Sequence, residues 1–342
     1  MTFSLTSLEQ KQAFEADGVV CLRNQISPEE IERLRSSIDR QTQAVSSSPT
    51  AYDFENIAAQ LWAASNGISA GEAARFEVNA LAQMILADPT ARPLQEPQAA
   101  TKSTGSFVYD ASGWRHDDGI RELALDSVLP QLASELLGSE CVNFWEDTTF
   151  VKTPNTRQKT AFHQDLGYNH FEGEQSIVFW IALDDVDQQN GGMRYVRGSH
   201  KWGQVYAPNM FVAQTTMPGA QAPKVPDIEA DEGAYDLMHF DVKPGDIIAH
   251  HVLCVHGAGG NMTSRQRRAI SFQYCGDDVR YFERPGAAPR AYTIDKLNNG
   301  DRLYSRDFPT VWPRPWPGVK LSNLYGAMDL LNSSGIPSRT AA

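Results

Sequence analysis

Val142-Asn143-Phe144-Trp145-Glu146-Asp147-Thr148-Thr149-Phe150-Val151-Lys152 is where the hydrophobic period of this chain changes. Upstream, apolar residues recur at helical spacing. From Val142 onward they come in short extended runs rich in β-branched and aromatic residues. Lys159–Asp165, Ser176–Leu183, Gly192–Val196, Asp246–Val255 and Arg268–Cys275 repeat the pattern. Turn residues separate them: Pro154-Asn155, Asn190-Gly191-Gly192, Pro244-Gly245 and Gly257 to Asn261. Six strands with no intervening helices predict antiparallel sheets. The fold class is therefore mainly β, with antiparallel sheets as in a jelly roll, buttressed by N-terminal α-helices.

Working back from Val142, a series of helices is expected. Ser7 to Ala16 is anchored by Leu8 and Phe14, and Asp17-Gly18 ends it. Val19 to Leu22 suits a buried strand. Ser27 caps a helix with Pro28 at its first position and Ile31, Leu34 and Ile38 on one face. Ile120 to Leu137 reads as one helix closed by Gly138. Between them, Ser46 to Pro49 is a loop, Ala58–Ala64 and Gly71–Ala87 are helical, and Asp88 to Gly105 is surface loop. Within the strand series, residues 201–241 form a long lid-like loop. The tail from Asp277 to Ala342, with its Pro/Trp run at Val311–Pro317, wraps the body. No linker or repeat divides the chain, so residues 1–342 are expected to form one domain.

The composition bounds the function. Of 342 residues 41% are hydrophobic, enough for a sizeable core. A formal net charge of -12 and a pI near 5.1 argue against nucleic acid or anionic membrane as partner. The four cysteines, Cys21, Cys141, Cys254 and Cys275, lack paired spacing. They read as reduced thiols of a cytoplasmic protein. No signal peptide and no apolar run of membrane-spanning length is apparent. A monomer or homodimer acting on a small molecule is expected.

Chemistry concentrates at Phe162-His163-Gln164-Asp165. Residues two apart on a strand share a face, so His163 and Asp165 place an imidazole beside a carboxylate. That is two thirds of the 2-His-1-carboxylate triad of non-haem Fe(II) oxygenases. His250, His251 and His256 compete for the third position. His256 is chosen, because the glycine-rich stretch Gly257-Ala258-Gly259-Gly260 after it allows close backbone approach. Eleven residues after His256, Arg267 shares a strand face with Ala269, Ser271 and Gln273. A guanidinium beside small residues suits a bidentate carboxylate grip, with a structural ion pair as the alternative.

The ordered set His163-x-Asp165, Trp180 to Asp185, Asn190 to Met193, Gly198-Ser199-His200, Pro244-Gly245-Asp246, His256-Gly257 and Arg267 resembles the phytanoyl-CoA dioxygenase family, which includes ectoine hydroxylase. The similarity runs from about Asp17 to Asp278. It implies a double-stranded β-helix and Fe(II) held by His163, Asp165 and His256, with His250 and His251 as strand residues of the core or behind those ligands, and 2-oxoglutarate and O2 as cosubstrates. It also implies that Arg267 grips the distal carboxylate of 2-oxoglutarate and that Trp180 stands beside it. Many relatives carry Ser two residues after the distal His, where this chain has Ala258. Thr148, Thr149 or Ser271 is expected to supply that hydroxyl.

The implied reaction is hydroxylation of an unactivated C–H bond, releasing succinate and CO2. Asp165 favours hydroxylation over halogenation, which needs that carboxylate replaced. Substrate contacts are expected from Gln164, Tyr168, Asn169 and His170, and from loops at Tyr52–Trp62, Phe107–Trp114 and Trp202–Phe211. Arg280, Arg284 and Arg290 read as surface residues, with an anionic substrate as the alternative role. A zinc hydrolase or isomerase on the same barrel, or a non-catalytic cupin-like binding protein, are the rival readings. Arg267 argues against the first and the complete triad against the second.

Overall fold

In the computed structural model, residues 4–43, 50–54, 105–290, 293–315 and 318–332 are described. The expectations for Ser46–Pro49, Ala58–Ala64, Gly71–Ala87 and nearly all of Asp88–Gly105 lie outside those residues. So does the part of the Tyr52–Trp62 loop after Phe54.

Two antiparallel sheets carry the architecture. In the larger, the strand order is β1 (Val19–Leu22), β10 (Ile247–His251), β7 (Ser176–Ala182), β12 (Arg267–Cys275), β4 (Val142–Lys152), β3 (Phe107–Ala111) and β2 (Tyr52–Asp53). A further strand, β14 (Thr310–Trp312), pairs with β4. The smaller sheet runs β5 (Thr160–His163), β11 (His256–Ala258), β8 (Met193–Val196) and β9 (Leu237–His239). A two-stranded piece joins β6 (Phe171–Glu172) to β13 (Arg280–Tyr281). The expected jelly roll is what forms.

Helices cover the outer face of the larger sheet, as expected. In α2 (Pro28–Gln43), Ile31, Leu34 and Ile38 are buried with Ile181, Ile270 and Phe272 of the sheet in one core cluster. Arg268 rivets this layer by reaching Asp39 of α2 at 3.0 Å and Asp184 at 2.9 Å. The expected single helix over Ile120–Leu137 is instead two, α3 (Asp118–Asp126) and α4 (Leu129–Leu137). Ser127 is extended, and Pro130 sits in the first turn of α4, where its missing N–H costs nothing. In α1 (Leu8–Asp17) only Phe14 anchors; Leu8 is 70% exposed.

Residues 201–241 are less loop-like than expected. Their C-terminal part supplies β9, and Val225 and Ile228 pack on Phe162 under the smaller sheet. The tail wraps the body, with β13 and β14 added to sheets and Val311 and Leu321 in the main core. Helix α5 (Leu321–Asn332) closes the described chain.

Ile38 is fully buried where α2 meets the sheet. Ile38→Ala should therefore lower unfolding stability by about 2–5 kcal/mol in urea titration. A loss under about 1 kcal/mol would mean that α2 does not close the core.

Candidate active site and metal centre

Strand pairing brings the site together. His163 ends β5 and His256 opens β11, and the two are direct antiparallel partners. Their ring centroids lie 4.3 Å apart. Gly257 makes that approach possible, since a Cβ there would sit 2.9 Å from the Thr160 carbonyl. The strand stops at His163, earlier than expected. Gln164 remains extended, however, so Asp165 still emerges on the face of His163 as it opens a short 3-10 turn.

The three side chains converge on one point. Oδ1 of Asp165 lies 3.4 Å from Nε2 of His163 and 3.6 Å from Nε2 of His256. A candidate ligand atom from each lies within 4.8 Å of the others. Two ligands at right angles, each ~2.1 Å from a metal, would be about 3 Å apart, so the cluster fits an octahedral ion after a small contraction.

The outer nitrogens set the tautomers. Nδ1–H of His163 donates to the Ala161 carbonyl at 2.7 Å, and Nδ1–H of His256 to that of Cys254 at 2.9 Å. Both Nε2 lone pairs are thereby left pointing inward. Burial pushes the His256 pKa down to about 3, with Asp165 opposing, so the ring is neutral near pH 7. Burial alone would raise the Asp165 pKa. At acid pH, where the imidazoles take up protons, the charge of His256 and hydrogen bonds from His163 and His250 outweigh it and hold the carboxyl well below its usual range.

His250 explains itself here. Its Nε2–H donates to Oδ2 of Asp165 at 2.9 Å, and Tyr195 donates to its Nδ1 at 3.2 Å. Both nitrogens are spent, so it orients the carboxylate and leaves Oδ1 for a metal. His251 packs against Phe14 and His200, away from the cluster.

Two cavities flank the triad. The inner one, about 40 Å³, is lined by the triad, His250, Trp180, Arg267, Ser271, Thr160 and Phe150 among others. Arg267 is buried, and burial lowers its pKa to about 10. It gives one hydrogen bond, from Nη2 to the Gly191 carbonyl at 3.2 Å. Its Nε is buried with no hydrogen-bond partner among the described residues. A buried guanidinium with unmet donors fits a carboxylate ligand. The Trp180 ring centroid lies 5.8 Å from the Arg267 guanidinium carbon.

Thr149 is a correction. The register pairs Ser271 with Thr148 and Ile270 with Thr149, so Thr149 faces outward, where its hydroxyl donates to Gln41 of α2 at 3.1 Å. Ser271 does line the inner cavity. Sequence reasoning missed Thr160, which lines the inner cavity and whose ladder partner is Ala258. The strand run 159–165 contains it, and alternation from His163 does not single it out.

An outer cavity of about 200 Å³ continues past Phe211, which lines both. Phe211 has a φ of 62° and stands 5.2 Å from the His163 ring. A left-handed aromatic residue between two cavities was not foreseeable from the sequence.

The expected substrate contacts divide. The Tyr168 ring lines the outer cavity beside His163, but its hydroxyl donates to Asn209 Oδ1 at 2.6 Å. His170 lines it too, yet both ring nitrogens are engaged: Nε2–H donates to the Ala288 carbonyl and the Arg284 N–H donates to Nδ1. Gln164 does not reach the cavity. Its amide clamps the lid segment, donating to the carbonyls of Leu253 and Gln204 and accepting from the Tyr206 N–H.

Comparisons with known proteins agree with this geometry. The family model for phytanoyl-CoA dioxygenase (PhyH) matches residues 14–269. The peroxisomal phytanoyl-CoA dioxygenase of Rattus norvegicus is 23% identical over 319 residues, 90% of this chain and 81% of its own length. A probable alpha-ketoglutarate-dependent hypophosphite dioxygenase of Stutzerimonas stutzeri is 27% identical over 163 residues, covering 47% and 54%. Among solved structures, the carbocyclase SnoK from nogalamycin biosynthesis superposes with a TM-score of 0.59 at 21% identity, covering 90% and 97%. EctD from S. alaskensis, solved with 2-oxoglutarate and 5-hydroxyectoine, gives 0.55 at 17% identity, covering 88% and 87%.

Gln164→Ala should release the lid segment at a cost of about 1–3 kcal/mol. Limited proteolysis should then cut between residues 201 and 215 faster than in wild type. An unchanged cleavage rate would contradict the clamp.

Proposed function

The chain belongs to the phytanoyl-CoA dioxygenase (PhyH) family, and from that premise we propose that it is an Fe(II)- and 2-oxoglutarate-dependent dioxygenase hydroxylating an unactivated C–H bond of a small organic molecule. Succinate and CO2 are the co-products. The observation that carries the reading is a buried guanidinium with unmet donors, Arg267, in the same small cavity as the His163–Asp165–His256 cluster.

A metal held by these three protein ligands would keep further positions for the cosubstrates. When bound, iron and 2-oxoglutarate supply the oxidising power, through oxidative decarboxylation and hydrogen abstraction. The protein's part is geometric. His163, His256 and Asp165 would hold the ion, and His250 fixes which Asp165 oxygen faces it. Arg267 would hold the distal carboxylate of 2-oxoglutarate, with Trp180 as its wall. Ser271 and Thr160 are the hydroxyls we assign in place of the one absent at Ala258. Phe211 and Tyr168 shield the ion on the substrate side. Asp165 keeps the third protein ligand, which supports hydroxylation over halogenation.

Among the described residues no helix is long and apolar enough to cross a membrane. We place the protein in the cytoplasm, on the strength of its four free thiols.

Arg267→Ala should raise the KM for 2-oxoglutarate at least about tenfold while Fe(II) binding persists. Asp165→Ala should abolish Fe(II)-dependent succinate release. Turnover supported by Zn(II) without 2-oxoglutarate, or succinate release unchanged in Asp165→Ala, would overturn the assignment.

A further inference from the structure

The inward faces of β4 and β12 form one ladder leading away from the metal cluster. It pairs Lys152 with Arg267, Phe150 with Ala269, Thr148 with Ser271, and Glu146 with Gln273. The inner cavity occupies the Arg267 end, and the outer cavity takes over at Thr148 and ends at Glu146. A bulge follows Gln273 and turns Trp145 as well as Glu146 toward the outer cavity.

Arg290 meets this far end from the tail. From the sequence it is expected at the surface, with an anionic substrate as the alternative role, but its side chain is only 10% exposed. Its guanidinium carbon lies 4.6 Å from the Trp145 ring centroid and 4.8 Å from that of Phe308. Nη1 faces Glu146 Oε2 at 3.4 Å, long beside the ~2.7–2.9 Å of a well-formed charged pair. Nε is buried and has no hydrogen-bond partner among the described residues. Glu146, by contrast, is already anchored by the Ser112 hydroxyl, and Ser112 holds a left-handed φ of 63°. The arginine is thus fixed by rings and by one weak ion pair, has a buried donor without an acceptor, and lines the wall of the outer cavity. Buried donors left in that state signal a missing acceptor.

We propose that Arg290 determines substrate specificity by holding a carboxylate of the substrate with its guanidinium at the wall of the outer cavity. The aromatic wall of the outer cavity, Tyr109, Trp145 and Phe211, would cover the hydrocarbon body. This rests on the inner cavity being the iron and 2-oxoglutarate site. Glu146 lies two ladder steps, about 7 Å, beyond Thr148. The C–H bond presented to the metal is therefore several bonds away from the carboxylate, and the substrate is an amphipathic carboxylic acid.

The test uses the anaerobic protein loaded with Fe(II) and 2-oxoglutarate, so that Arg267 is already occupied. 3-Phenylpropionate and its uncharged amide, 3-phenylpropanamide, are titrated by calorimetry. The acid should bind at least about tenfold more tightly than the amide. Arg290→Gln should erase that preference and Arg290→Lys retain part of it, with 2-oxoglutarate affinity unchanged in both. Equal affinities in wild type, no binding of either probe, or an undiminished preference in Arg290→Gln would overturn the proposal. Failure of wild type to take up Fe(II) and 2-oxoglutarate would instead count against the reading of the inner cavity. The acid-to-amide comparison on an Arg267→Gln background would then test Arg290 by itself.

Discussion

One backbone pairing controls the centre of this molecule: His163 opposite His256 across β5 and β11. Two imidazoles brought within 4.3 Å in a buried site repel once charged and leave polar nitrogens without water. The arrangement is stable because each outer nitrogen has a carbonyl and because Asp165 supplies the compensating charge. His250 then ties down the second Asp165 oxygen. What remains is a set of inward lone pairs with no protein donor to meet them, the electrostatic condition for holding a cation.

The sheets around that pairing are organised to keep it rigid. β5 and β11 lie in the smaller sheet, and Phe162 between them is packed from beneath by Val225 and Ile228 of the lid segment. The facing sheet contributes Trp180, Ser271 and Arg267 from central strands whose outer surfaces are covered by helices. Side chains on central strands are more firmly placed than those on loops. Trp180, Ser271 and Arg267 therefore stand on firmly placed strands, whereas His163 and Asp165 come from the edge strand β5 and the turn after it. The outer cavity is walled by strand residues of the larger sheet together with residues 209–217 and 288–290.

Much of this was legible in the sequence, for definite reasons. The period-2 runs located the strands, and the alternation inside Phe162–Asp165 put His163 and Asp165 on one face. Arg267, Ala269, Ser271 and Gln273 were placed together on β12, as the structure has them. Thr149 went wrong because β4 is covered on both faces. Its residues then carry no polar-out signature, and Thr148 and Thr149 look alike until a neighbouring strand fixes the parity. Leu8 failed as an anchor because one leucine at a helix start does not define a face. The break at Ser127 was visible in Pro130, which belongs in a first turn and not mid-helix. Phe211, Glu146 with Arg290, and the clamp made by Gln164 join residues from 40 to 144 positions apart, a juxtaposition that local pattern cannot encode.

The central claim is that the triad cavity and Arg267 form one site for an ion and its cosubstrate. Anaerobic equilibrium binding of 2-oxoglutarate, measured with and without Fe(II), tests that most directly. The account predicts one Fe(II) per chain and 2-oxoglutarate binding strengthened at least about tenfold by the ion, with the strengthening lost in His163→Ala. Binding of 2-oxoglutarate that is indifferent to Fe(II), in wild type and His163→Ala alike, would contradict it.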